Sequence, residues 1–248
     1  PRAFDVDDAI WLTQRFGSIE KVARSSDVIF AGNTFVADWF SDYCDDIVII
    51  PTAVDVDRFT PSPVKTGNRL LVGWSGTSGN LGTLDEVWPA LAAVAQQHDE
   101  LAVRIVSDAP PRVPEALRGC VEYVRWTPEN EVRTIQEMDI GIMPLADNDW
   151  SRGKCSYKML LYMACGVPVV ASPVGMNAEV LSQGDVGLGP RTSDEWVDAL
   201  ALLVDDAGQR QRLGTAGRNL VAERYGVHQV AQGICDALRR VTGHGGSV

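Results

Sequence analysis

No apolar run in this 248-residue chain approaches the roughly 20 residues that a membrane-spanning helix requires. Positive charge is also short: 22 Lys and Arg stand against 33 Asp and Glu, for a net charge of −11. That balance excludes a general nucleic-acid binder and offers no polybasic patch, so contact with a membrane is at most peripheral. Histidine is rare, and His98, His228 and His244 have no partner at ligand spacing, so no metal site is expected. Two D-x-D triplets, at Asp5-Val6-Asp7 and Asp55-Val56-Asp57, are ordinary in so acidic a chain. The five cysteines (44, 120, 155, 165 and 235) are odd in number and form no C-x-x-C pair, which suits reduced thiols in a cytoplasmic protein. No secretory leader is recognisable, and the chain opens on Pro1, as expected of a processed or truncated protein. Neither Ser75 nor Ser156 lies in a G-x-S-x-G setting, and no internal repeat is visible.

What is present is apolar substance in short pieces. Hydrophobic residues make up 45% of the chain, enough for a substantial core. They fall in brief runs that alternate with longer helical patterns, the signature of α/β architecture with a parallel sheet. The pattern predicts strands at 2–5, 28–31, 47–50, 70–73, 101–107, 121–124, 140–143 and 168–171. Helices are expected after Asp5 through Val22 and from an Asn33 cap through Tyr43. Others are expected over 84–97, 129–138, the segment after Ser151, 193–205, 207–224 and 227–241. Between the third and fourth strands, Pro51, Pro61 and Pro63 punctuate a segment that reads as a linker. The strands before it are too few for an independent domain, whereas the block after it is complete.

The densest chemistry lies between Ser151 and Gly175. Arg152, Lys154 and Lys158 gather three cations in an acidic protein. On a helix, Lys154 and Lys158 would share one face, and the helix N-terminus would add free N–H groups and partial positive charge. Such a convergence suits a phosphorylated ligand; solvated lysines on an amphipathic helix are the plainer reading of the same spacing. The turn after the strand at Leu70 carries Gly73, Ser75, Gly76 and Thr77, small residues whose backbone N–H groups can approach an anion. It has neither the Gly-Lys-Ser/Thr of a P-loop nor G-x-G-x-x-G. Trp126 and Trp150 follow predicted strand ends, where open α/β sheets bind ligands. Trp126 is open to two readings, contact with a nucleobase or buried packing.

Lys154, Lys158, Tyr162, Ala164, Gly166, Pro168, Val169 and Val170 follow K-x-x-x-K-x-x-x-Y-x-A-x-G-x-P-V-V. This resembles a variant of the donor-binding helix of family 4 glycosyltransferases. Ile50, Pro51, Val54, Asp55, Phe59 and Pro61 are similar to that family's interdomain linker, with Ala53 where Gly is common. Arg212, Gly214, Gly217, Arg218, Val221 and Tyr225 resemble its closing helical segment. The three motifs stand in family order, and the resemblance runs from residue 28 to about residue 240. It implies the GT-B fold, two Rossmann-like domains facing each other across a cleft. Residues 1–50 would be the C-terminal part of the acceptor-side domain and 51–66 the interdomain linker. Residues 67–225 would form the donor-binding domain, a Rossmann-like parallel sheet flanked by helices. Residues 226–241 would be a terminal helix packing back on the partial first domain, and 242–248 a flexible tail.

The function implied by the resemblance is retaining, metal-independent transfer of a sugar from a nucleotide-diphosphate sugar to an acceptor hydroxyl. Glycan, lipid-linked glycan and polysaccharide acceptors all fit, and no cofactor is implied. Arg152, Lys154 and Lys158 would stabilise the leaving diphosphate. Gly73, Ser75, Gly76, Thr77, Trp126, Gly153, Val174, Gly175 and Glu179 would bind the donor. The chain departs from the family pattern in two places. Trp74 stands where an Arg is common in the turn, and no Lys follows it. Two glutamates that contact donor sugar and ribose in many relatives fall on Gly153 and Leu161. The acceptor would be held mainly by the absent part of the first domain, so this portion would bind donor and turn over poorly or not at all. Two alternatives stay open: a catalytically degenerate nucleotide- or glycan-binding module, and a GT-B sugar-nucleotide epimerase.

Overall fold

The central strand of each predicted sheet, Val28–Ala31 and Leu70–Ser75, is buried along nearly its whole length, the pattern of parallel strands covered on both faces. A computed structural model describes residues 1–12, 16–62 and 69–243. In it β1 (Ala3–Val6), β2 (Val28–Ala31) and β3 (Ile47–Ile49) form a parallel sheet in that order, accompanied by α1 (Phe16–Arg24) and α2 (Thr34–Phe40). A second parallel sheet takes β4 (Leu70–Ser75), β5 (Leu101–Ser107), β6 (Val121–Arg125), β7 (Ile140–Met143) and β8 (Val169–Ala171) in the order β6-β5-β4-β7-β8. The direction of winding reverses between β4 and β7. Ligand crevices open at the carboxyl ends of strands at such a switch point.

Side chains alternate across the second sheet as the pleat requires. Val72, Trp74, Val103, Ile105, Ile140 and Ile142 pack against α3 (Trp88–Ala95) and α8 (Ser193–Asp205). On the other face Val106, Met143, Val169 and Ala171 meet α4 (Glu131–Gln136), α6 (Tyr157–Ala164) and α9 (Ala207–Arg224). Gly73 and Gly141 are register partners in β4 and β7. A Cβ at Gly73 would lie 2.2 Å from Met138 Sδ, and one at Gly141 would lie 2.6 Å from the Tyr162 ring. The paired glycines therefore make room for Met138 and for the close approach of α6. Gly73, expected to bind donor, is a packing position.

The two sheets are tied together by the linker and the C-terminal helix. Val54 N–H donates to the Tyr225 carbonyl (2.8 Å), and Val227 N–H donates to the Val54 carbonyl (3.1 Å). The Arg218 guanidinium on α9 donates to the carbonyls of Val56 (2.8 Å), Phe59 (2.7 Å) and Ala164 (2.9 Å). Then α10 (Val227–Val241) places Ile234, Ala237 and Leu238 against Val28 and Phe30 of the first sheet. Residues 63–66 of the expected linker and 244–248 of the expected tail lie outside the described residues.

Helix starts differ most from expectation. The helix expected after Asp5 is a 3-10 turn, Ile10–Leu12, followed by α1, with residues 13–15 of that expectation outside the described ones. The second helix stops at Phe40, where the Ser41 N–H bonds back to Ala37 and Asp38. The helix expected over 84–97 begins instead as a 3-10 segment, Ser78–Glu86, before α3 starts with Pro89 in its first turn. The largest correction concerns the basic segment. It forms a short α5 (Asp149–Arg152) and then breaks, because Ser156 adopts a left-handed conformation (φ 53°) and donates its hydroxyl to Asn177 Oδ1 at 2.6 Å. Lys154 thus precedes α6 and Lys158 lies in its first turn, so they do not share a helix face.

Candidate functional site

The carboxyl ends of β4 and β6 face the start of α6, and between them lies a cavity of about 340 Å³. Ser75, Gly76, Thr77 and Trp126 border it, together with Lys158 and Leu161. Tyr162 sets this geometry: its ring lies over Gly141, and its Oη accepts the Ser75 N–H at 2.7 Å. That bond ties the end of β4 to α6. Gly76 completes the approach, because a Cβ there would lie 2.7 Å from the Trp74 ring and 3.0 Å from Lys158 Nζ.

Lys158 is the singular group of the cavity. Its Nζ stands 4.9 Å from the centroid of the buried Trp74 ring. Among the described residues it makes no hydrogen bond or ion pair. Burial, and secondly the charge of Lys154, lower its pKa to about 8. Across the cavity Glu131, in the first turn of α4, accepts the Trp126 indole N–H at 3.2 Å on Oε1 and the Arg58 guanidinium at 3.0 Å on Oε2. Glu131 also borders the cavity, as do Tyr157, Asn80 and Asp108.

The turn does not offer the open row of N–H groups expected of it. The Ser75 N–H is held by Tyr162, the Gly76 N–H by the Val106 carbonyl (3.0 Å), and the Ser78 N–H by Asp108 (2.6 Å). The Ser78 hydroxyl adds a second bond to Asp108 at 2.9 Å, and these bonds hold that carboxyl below the usual carboxylate range.

The three expected cations are placed apart. Lys154 borders an adjoining cavity of about 250 Å³, with its Nζ 5.1 Å from the Trp150 ring, and Asn80 borders both cavities. Arg152 is bound by Asp147 (2.8 Å) and Asp149 (3.4 Å) and borders neither cavity. Two glycines expected to bind donor stand where backbones approach closely. A Cβ at Gly153 would lie 2.5 Å from Ala9 of the first domain; one at Gly175 (φ +53°) would lie 2.5 Å from the Arg152 carbonyl oxygen. Val174 borders a third cavity, of about 320 Å³, with Asp147 and Arg191. Glu179, on α7 (Met176–Leu181), borders none of the three.

Beneath this site the first domain grips the 152–155 segment. Buried Asn33 caps α2 through its Oδ1, while its Nδ2 donates to the carbonyls of Arg152 (3.1 Å) and Lys154 (3.0 Å). The Cys155 thiol donates to the Asp7 carbonyl at 2.8 Å, and burial pushes its pKa up to about 12. Glu131, Tyr157 and the second role of Asn33 escape sequence reading. Nothing in the spacing of these residues signals where distant elements will bring them.

A family profile described as Glycosyl transferases group 1 matches residues 70–206, more than half of the chain. The chain belongs to the group 1 glycosyltransferases. The match covers the whole β4–β8 sheet and the site built on it. Among curated relatives, a D-inositol 3-phosphate glycosyltransferase of Actinosynnema mirum is 27% identical over 224 residues, covering 78% of this chain and 53% of that protein. A GDP-mannose-dependent alpha-(1-6)-phosphatidylinositol monomannoside mannosyltransferase of Mycobacterium tuberculosis is 28% identical over 217 residues, covering 77% and 55%. The chain spans about half the length of these curated relatives. In fold it is similar to Anabaena Alr3699/HepE, solved in complex with UDP and glucose. That comparison has a TM-score of 0.78 at 15% identity and covers 96% of this chain and 71% of the other. The sucrose-phosphate synthase of Thermosynechococcus elongatus gives 0.77 at 15% identity, covering 98% and 68%. This group 1 glycosyltransferase chain has the expected GT-B-type α/β architecture, and among its described residues no helix is long and apolar enough to cross a membrane.

Proposed function

We propose that the cavity at β4, β6 and α6 binds a nucleotide-diphosphate sugar with its diphosphate at Lys158. We further propose that the protein containing this chain transfers the sugar, with retention, to an acceptor hydroxyl. The observation that carries the reading is the half-buried Lys158 ammonium, which borders the cavity with no anion paired to it among the described residues. A charge drawn partly out of water without a partner is costly, and a bound phosphate supplies that partner. Trp126, partly exposed at the cavity rim, offers an aromatic face to a base. The relatives' names point to the same donor class, through GDP-mannose in the mycobacterial enzyme and UDP in the Anabaena complex.

In the transfer step the bond from the sugar's anomeric carbon to the diphosphate breaks. A new bond forms from the acceptor oxygen to the same face of that carbon, and the acceptor's proton passes to the departing phosphate. Lys158 stabilises the charge that grows on that phosphate, and Lys154 acts from the adjoining cavity. Neither needs a metal for this role. Arg152 contributes only after leaving Asp147 and Asp149.

Calorimetric titration with UDP, GDP and ADP tests the reading. One diphosphate should bind, and Lys158→Ala should weaken it by about ten- to a hundredfold, the range for a charge-assisted contact. Undiminished affinity in a folded Lys158→Ala variant would place the diphosphate elsewhere. No binding of any of the three would favour a degenerate module.

A further inference from the structure

The cavity has two charged poles that do not meet. Lys158 lies at the Gly76 end; Glu131 is drawn away from it by Trp126 and by Arg58 of the linker. If Glu131 served only to neutralise the cavity's lysine, the two would pair, and no such ion pair is present among the described residues. Its side chain is only 17% exposed. Among the described residues each of its oxygens accepts one bond, from Trp126 on one and Arg58 on the other. An ionised carboxylate has about four acceptor sites, so about two remain. The other carboxylate bordering the cavity, Asp108, is occupied by the Ser78 N–H and hydroxyl and also by the Ser107 hydroxyl. Leu161, also on the wall, offers no acceptor at all.

A ligand that fills both poles must present an anion at one end and hydroxyl donors a short distance away, beside an aromatic face. A ribonucleoside diphosphate has this order of groups: phosphates, then the ribose 2′,3′-diol, then the base. Resting on the nucleotide reading above, we propose that Glu131 accepts hydrogen bonds from the ribose diol and makes the site selective for ribonucleotides. Arg58 acts as a positioning residue, since its bond to Oε2 turns the carboxylate toward the indole. The interdomain linker thereby reaches the nucleotide site through one ion pair.

The test pairs a variant with a ligand lacking the same contact. The full chain is titrated with UDP, GDP and ADP and with their 2′,3′-dideoxy counterparts, for the wild type and for Glu131→Ala and Glu131→Gln. The wild type should prefer the ribose form by about ten- to a hundredfold. Glu131→Ala should bind ribose and dideoxy forms alike, and Glu131→Gln, which keeps one acceptor oxygen, should fall between. A general loosening of the fold would weaken both ligands together and leave their ratio standing, so the ratio separates recognition from structure. An unchanged ratio in Glu131→Ala, with nucleotide still bound, overturns this inference alone. Failure of the folded wild type to bind any of the diphosphates overturns it together with the nucleotide reading.

Discussion

Lys158 shows how one residue is held at a cost to the fold. Its pKa of about 8 lies below the ordinary 10.5, first because burial disfavours the charged form and second because Lys154 repels it. Between these two values the unfolded chain holds a proton that the folded chain has released, so this residue makes stability rise with pH from about 8 to 10.5. Below pH 8 both states are protonated and the full penalty is present. We expect Lys158→Met to raise stability at pH 7 by about 1–3 kcal/mol and to flatten that rise. Urea unfolding of both proteins at pH 7, 8, 9 and 10 measures it, and their difference isolates Lys158 from other titrating groups. Identical pH slopes would refute the account. A bound phosphate draws the pKa back up, so nucleotide affinity should weaken as the pH rises past 8.

Among the elements, α6 matters most, because it carries both the cavity's cation and the Tyr162 strut. Gly141 lets it sit close to the sheet, and Tyr162 Oη then reaches the end of β4. Tyr162→Phe keeps the ring over Gly141 and removes only the acceptor. The Ser75 N–H is left buried and unpaired, which costs about 1–3 kcal/mol. The same change frees the turn at Gly76, so nucleotide affinity should fall as well. Thermal unfolding and titration of the variant report the two effects separately. Stability within about 0.5 kcal/mol of the wild type would mean that the bond contributes little. The break before α6 was invisible in the spacing of Lys154 and Lys158, since the left-handed turn at Ser156 depends on Asn177, 21 residues away.

At the scale of the molecule, the first domain supports a site to which it lends no wall in the main cavity. Asn33 is the joint: one end of its amide caps α2 and the other holds the Arg152 and Lys154 carbonyls. Asn33→Asp preserves the capping oxygen but replaces both outward donors with an acceptor facing two carbonyls. We expect it to destabilise the chain by about 1–3 kcal/mol. It should also weaken nucleotide binding, although Asn33 borders none of the described cavities. Asn33→Ser, which retains the cap and avoids the repulsion, should be milder. Denaturation and titration of the two variants decide the matter; equal behaviour of Asp and Ser would show that the interdomain grip has no bearing on the site.

The succession of apolar runs was enough to determine eight strands and their parallel arrangement. Burial leaves a local record in each strand. Helices α8, α9 and α10 occupy the ranges expected of them, because a long stretch of helical pattern leaves a local record of each; the capping box of Thr192 and Glu195 shows only in the structure. The membership of the site was legible only in part: Ser75, Gly76, Thr77, Trp126 and Lys158 border one cavity. The tertiary structure alone decided that Arg152 turns to its own acidic neighbours and that Gly73 and Gly153 serve packing. It alone also brought Glu131 opposite Lys158. Those outcomes depend on which side chains meet across sheets and domains, and a contact between residues far apart in the chain leaves no periodic trace in either segment.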